Sequence, residues 1–118
     1  MPTAANYSFE ARQGNTLRLG FRFKSEDGVA IDLTGSLIRF RVELGTGTGE
    51  FIAKSTPSDL QMPDPTTGEV TLVMSPNETD RLKPGRNNRY EIERQIDGEE
   101  TTLVTGFIIG IRGVNDNA

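Results

Sequence analysis

Thr16-Leu17-Arg18-Leu19-Gly20-Phe21-Arg22-Phe23-Lys24-Ser25 is the stretch that decides the fold. Leu17, Leu19, Phe21 and Phe23 fall on one parity, and Arg18, Arg22 and Lys24 on the other. A period of two is the pattern of a strand with one face in a core and one in solvent. Phe21 and Phe23 are therefore read as core residues.

The same period continues outward from this strand. Ser36 to Leu44 sets Ile38, Phe40, Val42 and Leu44 inward and Arg39, Arg41 and Glu43 outward. Glu69 to Met74 carries Val70, Leu72 and Met74 on one face, and Asn88 to Ile96 carries Tyr90, Ile92 and Ile96. Arg94 interrupts that last face, which places its end at the rim of a core. Asn6 to Ala11 and Glu50 to Ser55 read as weaker strands. Thr56 to Thr67 reads as a loop anchored by Leu60 and Met62. Glu26-Asp27-Gly28 and Asp97-Gly98 are turn signals. Ser75-Pro76-Asn77-Glu78 is the one helix start, with a capping serine, proline at the first helical position and glutamate three residues after the cap.

About seven to eight short strands separated by turns in ~100 residues match an immunoglobulin-like β-sandwich, an all-β fold of antiparallel strands. The capped turn before the sixth long strand takes the place of the crossover between the sheets. The expected organisation is an arm and short first strand over 1–13, the sandwich over 14–112 and a polar tail over 113–118.

Composition narrows the function. The chain has 118 residues and a net charge of −4. That balance disfavours a nucleic-acid backbone as partner, since phosphate neutralisation needs a basic surface. There is no cysteine and no histidine, which removes disulfides, thiolate nucleophiles, the usual general base and the commonest metal ligand. Apolar runs stay well short of the ~18 residues of a membrane span. The first residues, Met1 to Asn6, show neither the charged nor the apolar part of a signal peptide. A protein made and kept in the cytoplasm is the expectation.

Sites of chemistry are sparse. Gly45-Thr46-Gly47-Thr48-Gly49 has no helix after it to orient N–H groups at a phosphate, and reads as a mobile loop. Glu26-Asp27 and Glu99-Glu100 are neighbours in sequence, so their carboxylates diverge rather than flank a substrate. Asp59, Asp64 and Asn115-Asp116-Asn117 supply oxygen atoms without calcium-loop spacing. The expectation is no enzyme, with no catalytic residue, cofactor or metal. Arg18, Arg22, Lys24, Arg39 and Arg41 read as solvated strand faces paired with Glu43 or Glu93, or as one basic patch if both strands share a sheet.

A series of segments carries a resemblance: Gly14 to Phe23, Asp27 to Gly35, Ile38 to Val42, Gly68 to Leu72 and Leu82 to Arg86. In that order they resemble small immunoglobulin-like structural proteins of tailed bacteriophages, similar to the N-terminal domain of phage baseplate upper proteins. The resemblance spans Gly14 to Ile111. It implies a virion location, assembly with other virion structural proteins, homo-oligomers in the particle, and no catalytic residues. The family pattern runs Pro-Gly-x-Tyr-x-Tyr into the sixth strand. Here Asn87-Asn88 precede Arg89-Tyr90, so Tyr90 is the residue expected to supply the tyrosine-corner hydrogen bond from a shifted register.

The functional expectation is a tail, baseplate or fibre-attachment component, with no membrane and no nucleic-acid partner. Alternatives are a capsid decoration protein and a carbohydrate- or receptor-binding module, for which Tyr7, Phe51 and Tyr90 are the candidate aromatics. Candidate interface residues are Gly45, Gly47 and Gly49 in the loop and Val104 and Ile108 in the last strand. Thr101 to Ile111 has Leu103, Phe107, Ile109 and Ile111 on one parity, read as core, and Val104 and Ile108 on the other. The second set is read as packing on another subunit. The alternative is that Gly106 shifts the register, so that both sets serve one core.

Overall fold

A computed structural model describes residues 5–112. Two sheets pack face to face. The larger is ordered β5 (Phe51–Ser55), β4 (Leu37–Glu43), β8 (Gly85–Ile96) and β9 (Glu99–Ile111), and β9 is then edged by β1 (Ala5–Asn6) and β2 (Phe9–Arg12). The smaller is ordered β3 (Leu17–Arg22), β7 (Glu69–Met74) and β6 (Leu60–Gln61). All pairings are antiparallel except those of β1 and β2 with β9.

The strand pattern sets the core. Ile38, Phe40, Val42, Val70, Leu72, Met74 and Ile92 are fully buried, and Phe21 and Phe23 join them at the margin. Leu17 and Leu19 pack against this cluster from the start of β3. Leu60, in the segment read as a loop, is also fully buried and belongs to β6. Phe9 and Phe21 bring their rings to 5.3 Å and 6.3 Å from the ring of Tyr90.

The crossing from β7 to β8 between the sheets is made by the short helix α1 (Pro76–Thr79). Both hydrogen bonds of its capping box are formed: Ser75 N–H donates to Glu78 Oε1 at 2.8 Å, and Glu78 N–H donates to Ser75 Oγ at 3.2 Å. Arg94 ends on the rim, donating to Ser36 Oγ at 2.8 Å and to the Asp32 carbonyl at 3.0 Å.

β9 faces the opposite way from the expectation. Val104 is 2% exposed and Ile108 is 0% exposed, so both are core residues and not an interface. Phe107, Ile109 and Ile111 point outward and are partly covered. The physical reason lies in the glycines that share the inward parity. A Cβ on Gly106 would overlap the Tyr7 carbonyl, and one on Gly110 would overlap the Lys83 carbonyl. Two main-chain segments fill the space that side chains would otherwise take. Counting apolar side chains therefore favours the wrong face. A register shift does occur, between the pairs of Ile92 and Glu93, with Leu103 as the extra residue packed against the core.

The loop from Gly45 to Gly49 carries hydrogen bonds of its own. Gly45, Gly47 and Gly49 have φ of 85°, 74° and 75°, a region glycine enters without a Cβ penalty. Thr48 Oγ1 donates to the Leu44 carbonyl at 2.7 Å and accepts from the Glu50 N–H at 3.1 Å. Gly45 is buried beside Lys83, so it offers no contact surface. That burial corrects the reading of Gly45 as an interface residue, while Gly47 and Gly49 are exposed at the tip of the turn. The tail residues Asn115 to Asn117 lie outside the described residues.

Candidate interaction surfaces

Two polar side chains on the inner face of β8 hold the segments that cover β9. Tyr90 is paired with Gly106, and its hydroxyl donates to the carbonyl of Tyr7. That carbonyl sits inside because the β1–β2 link bends over Gly106, where Phe107 N–H donates to Ser8 Oγ at 3.1 Å. Burial, followed by the neighbouring Tyr7, pushes the Tyr90 phenol well above its ordinary range. Two residues earlier, Asn88 is fully buried. It accepts from Lys83 N–H at 2.9 Å and donates to the carbonyls of Lys83 at 2.8 Å and Ile108 at 2.9 Å.

Asn88 therefore makes the local corner that the sequence assigned to Tyr90. Tyr90 instead bonds to the far N-terminal edge. The change of residue type hid Asn88, although an asparagine between an exposed turn and a buried tyrosine was a legible signal of a main-chain cap.

The outer face of the larger sheet holds a concavity of about 430 Å3 lined by Arg39, Arg41, Phe51, Ala53, Glu91 and Glu93, among others. Arg39 pairs with Glu93 at 3.3 Å, as expected, and with Glu100 at 3.7 Å. Arg89 pairs with Glu91 at 3.8 Å. The Arg41 guanidinium lies 3.8 Å from the centroid of the Phe51 ring, which is 39% exposed. Exposed ion pairs of this kind contribute little to stability. Glu91 and Glu93 are thus engaged with arginine.

On the other sheet, Arg22 pairs with Glu69, while Arg18 and Lys24 are exposed. The basic set is thus split between two outer faces and forms no single patch. Asp64 accepts from the N–H of Thr66 at 3.1 Å and from its hydroxyl at 2.7 Å, capping a 3-10 turn at Pro65–Thr67. Asp32 is held below the ordinary carboxylate range by the hydroxyl and N–H of Thr34. Among the described residues no helix is long and apolar enough to cross a membrane.

Along the outer face of β9, Phe107, Ile109 and Ile111 form an apolar strip. Arg86 lies over the Phe107 ring at 5.0 Å. A solvent-facing strand usually alternates with polar residues, so a strand apolar on both faces is the pattern of one covered on both.

No family model and no characterised protein sequence matches the chain. Solved structures match its shape. One comes from work on multimeric cell-adhesive interactions of VGSC beta subunits; it aligns with a TM-score of 0.54 at 10% identity, over 94% of this chain and 96% of that one. Another is from the extracellular domains of the voltage-gated sodium channel beta4 subunit, described as parallel homodimers. Its TM-score is 0.51 at 11% identity, over 98% of this chain and 92% of that one. Together with the two-layer strand order, these matches establish an immunoglobulin-like β-sandwich, the fold class expected from the strand pattern.

Proposed function

We propose that the chain is a non-enzymatic structural module of a bacteriophage virion, in the tail, baseplate or fibre-attachment region, and that it works through contacts between subunits. The observation that carries the assembly part is the apolar outward face of β9. The virion part is supported by the series of phage-like segments from Gly14 to Ile111. The fold is one that VGSC beta subunits use in adhesive interactions between proteins, which favours contact over catalysis. In this reading the protein is made in the host cytoplasm, carries no cofactor and acts beside other virion proteins.

Immunolabelling tests this directly. An antibody raised against the chain should mark the tail or baseplate of virions in negative stain. Label on the head would support the decoration reading, and purified virions without the chain would overturn both.

One observation favours a second reading, a carbohydrate- or receptor-binding module: the exposed Phe51 ring beside Arg41 in the concavity. Glycan binding that disappears in Phe51→Ala with the melting temperature unchanged would support it. Glycan binding that survives the substitution would place recognition elsewhere.

A further inference from the structure

The strip on β9 has flanks of different charge. On one side β2 sets Glu10 beside Ile109 and Arg12 beside Ile111. On the other, β8 sets Arg89 beside Phe107, and Arg86 stands over the Phe107 ring. All of these charged side chains are exposed. A two-fold axis along β9, lying in the contact plane, turns the strip onto its own copy and exchanges the flanks. Glu10 of each molecule then meets the Arg86 and Arg89 side of the other. Arg12 is level with Ile111, beyond Gly85, the first residue of β8 to pair with β9, so no cation of the second copy's β8 faces it. A surface that is complementary to itself in this way is what an isologous contact requires.

We propose that the outer face of β2, β9 and β8 binds a second copy of this chain, with Phe107, Ile109 and Ile111 at the centre and Glu10 opposite Arg86. The inference deepens the assembly reading and rests on it. It also moves the subunit contact from Val104 and Ile108 to the opposite face of the same strand.

Sedimentation equilibrium of the full chain, from micromolar to millimolar, tests it. The wild type should dimerise reversibly. Ile109→Glu should weaken association by about tenfold or more with little change in thermal melting. Glu10→Arg should weaken it too, and Glu10→Arg combined with Arg86→Glu should restore it. Those two residues are exposed, so the charge swap reads the contact even if Ile109→Glu impairs folding. A wild type that stays monomeric throughout, a dimer indifferent to Ile109→Glu, or a swap that fails to restore association would each overturn the proposal. A dimer indifferent to these variants leaves the virion reading standing. A chain missing from virions sinks that reading without touching the dimer.

Discussion

Asn88 grips both polar groups of Lys83, accepting from its N–H at 2.9 Å and donating to its carbonyl at 2.8 Å. The side chain is fully buried, so its removal leaves groups of Lys83 and Ile108 without partners. Asn88→Ala should cost about 2–4 kcal/mol, the scale of a buried hydrogen-bond set lost at one end. Asn88→Asp should be worse at neutral pH than at acid pH, because its carboxylate would face the carbonyls of Lys83 and Ile108. Urea unfolding at both pH values checks this. Equal midpoints for Asn88→Asp across that range would contradict the burial of the group.

Tyr90 makes a second prediction, with an alkaline signature. Its raised pKa means that the folded state favours the neutral phenol. The associated stability is complete below the unfolded value of about 10 and falls as pH rises above it. Tyr90→Phe should cost about 1–2 kcal/mol at neutral pH by stranding the Tyr7 carbonyl. Above about pH 10 the gap should narrow, because only the wild type loses stability through this ionisation. Chemical unfolding of both proteins across alkaline pH would show it, and a constant gap would count against the buried hydroxyl.

Glycines separate by what stands over them. At Gly106 a methyl group would run into the Tyr7 main chain, so Gly106→Ala should destabilise by about 3 kcal/mol or more. At Gly20 an added Cβ meets nothing within 4 Å and φ is not positive. Gly20→Ala should be neutral or stabilising by up to about 1 kcal/mol. Thermal melts should therefore fall sharply for Gly106→Ala and hold or rise for Gly20→Ala, and a large loss at Gly20 would mean that its outer face is occupied.

Where one face of a strand met side chains, its facing was legible: Phe21, Phe40, Leu72 and Ile92 sit where alternation puts them. β9 was misread because its core face alternates Val104 and Ile108 with glycines that make room for main chain. No side-chain count contains that information, since the covering segments come from residues around Tyr7 and Lys83. The same covering main chain gave Tyr90 its distant partner, while Asn88 was hidden by its residue type. The capping box at Ser75 was readable because both of its members lie within one turn. Val104→Lys with Ile108→Lys should now unfold the monomer outright. A folded double mutant, by circular dichroism, would restore the original facing.

Glu78 gives the acid-side prediction. Burial raises its pKa, but hydrogen bonds from Lys54 and the Ser75 N–H outweigh this, and the net shift is downward. Lys54 Nζ lies 2.9 Å from Glu78 Oε2, and both side chains are largely covered, at 12% and 29% exposure. A depressed carboxylate contributes stability above its unfolded value, about 4.3, and loses it as pH falls through the lower folded value. Glu78→Gln keeps an oxygen for the Ser75 N–H and removes the charge facing Lys54. It should cost about 0.5–1 kcal/mol at neutral pH. Below the folded pKa the wild-type carboxyl is neutral as well, so the difference should shrink toward zero. Urea midpoints of both proteins, from neutral pH down through pH 4, would trace that convergence. Equal midpoints for the two proteins already at neutral pH would show that the capping box alone, without the Lys54 pair, accounts for the role of Glu78.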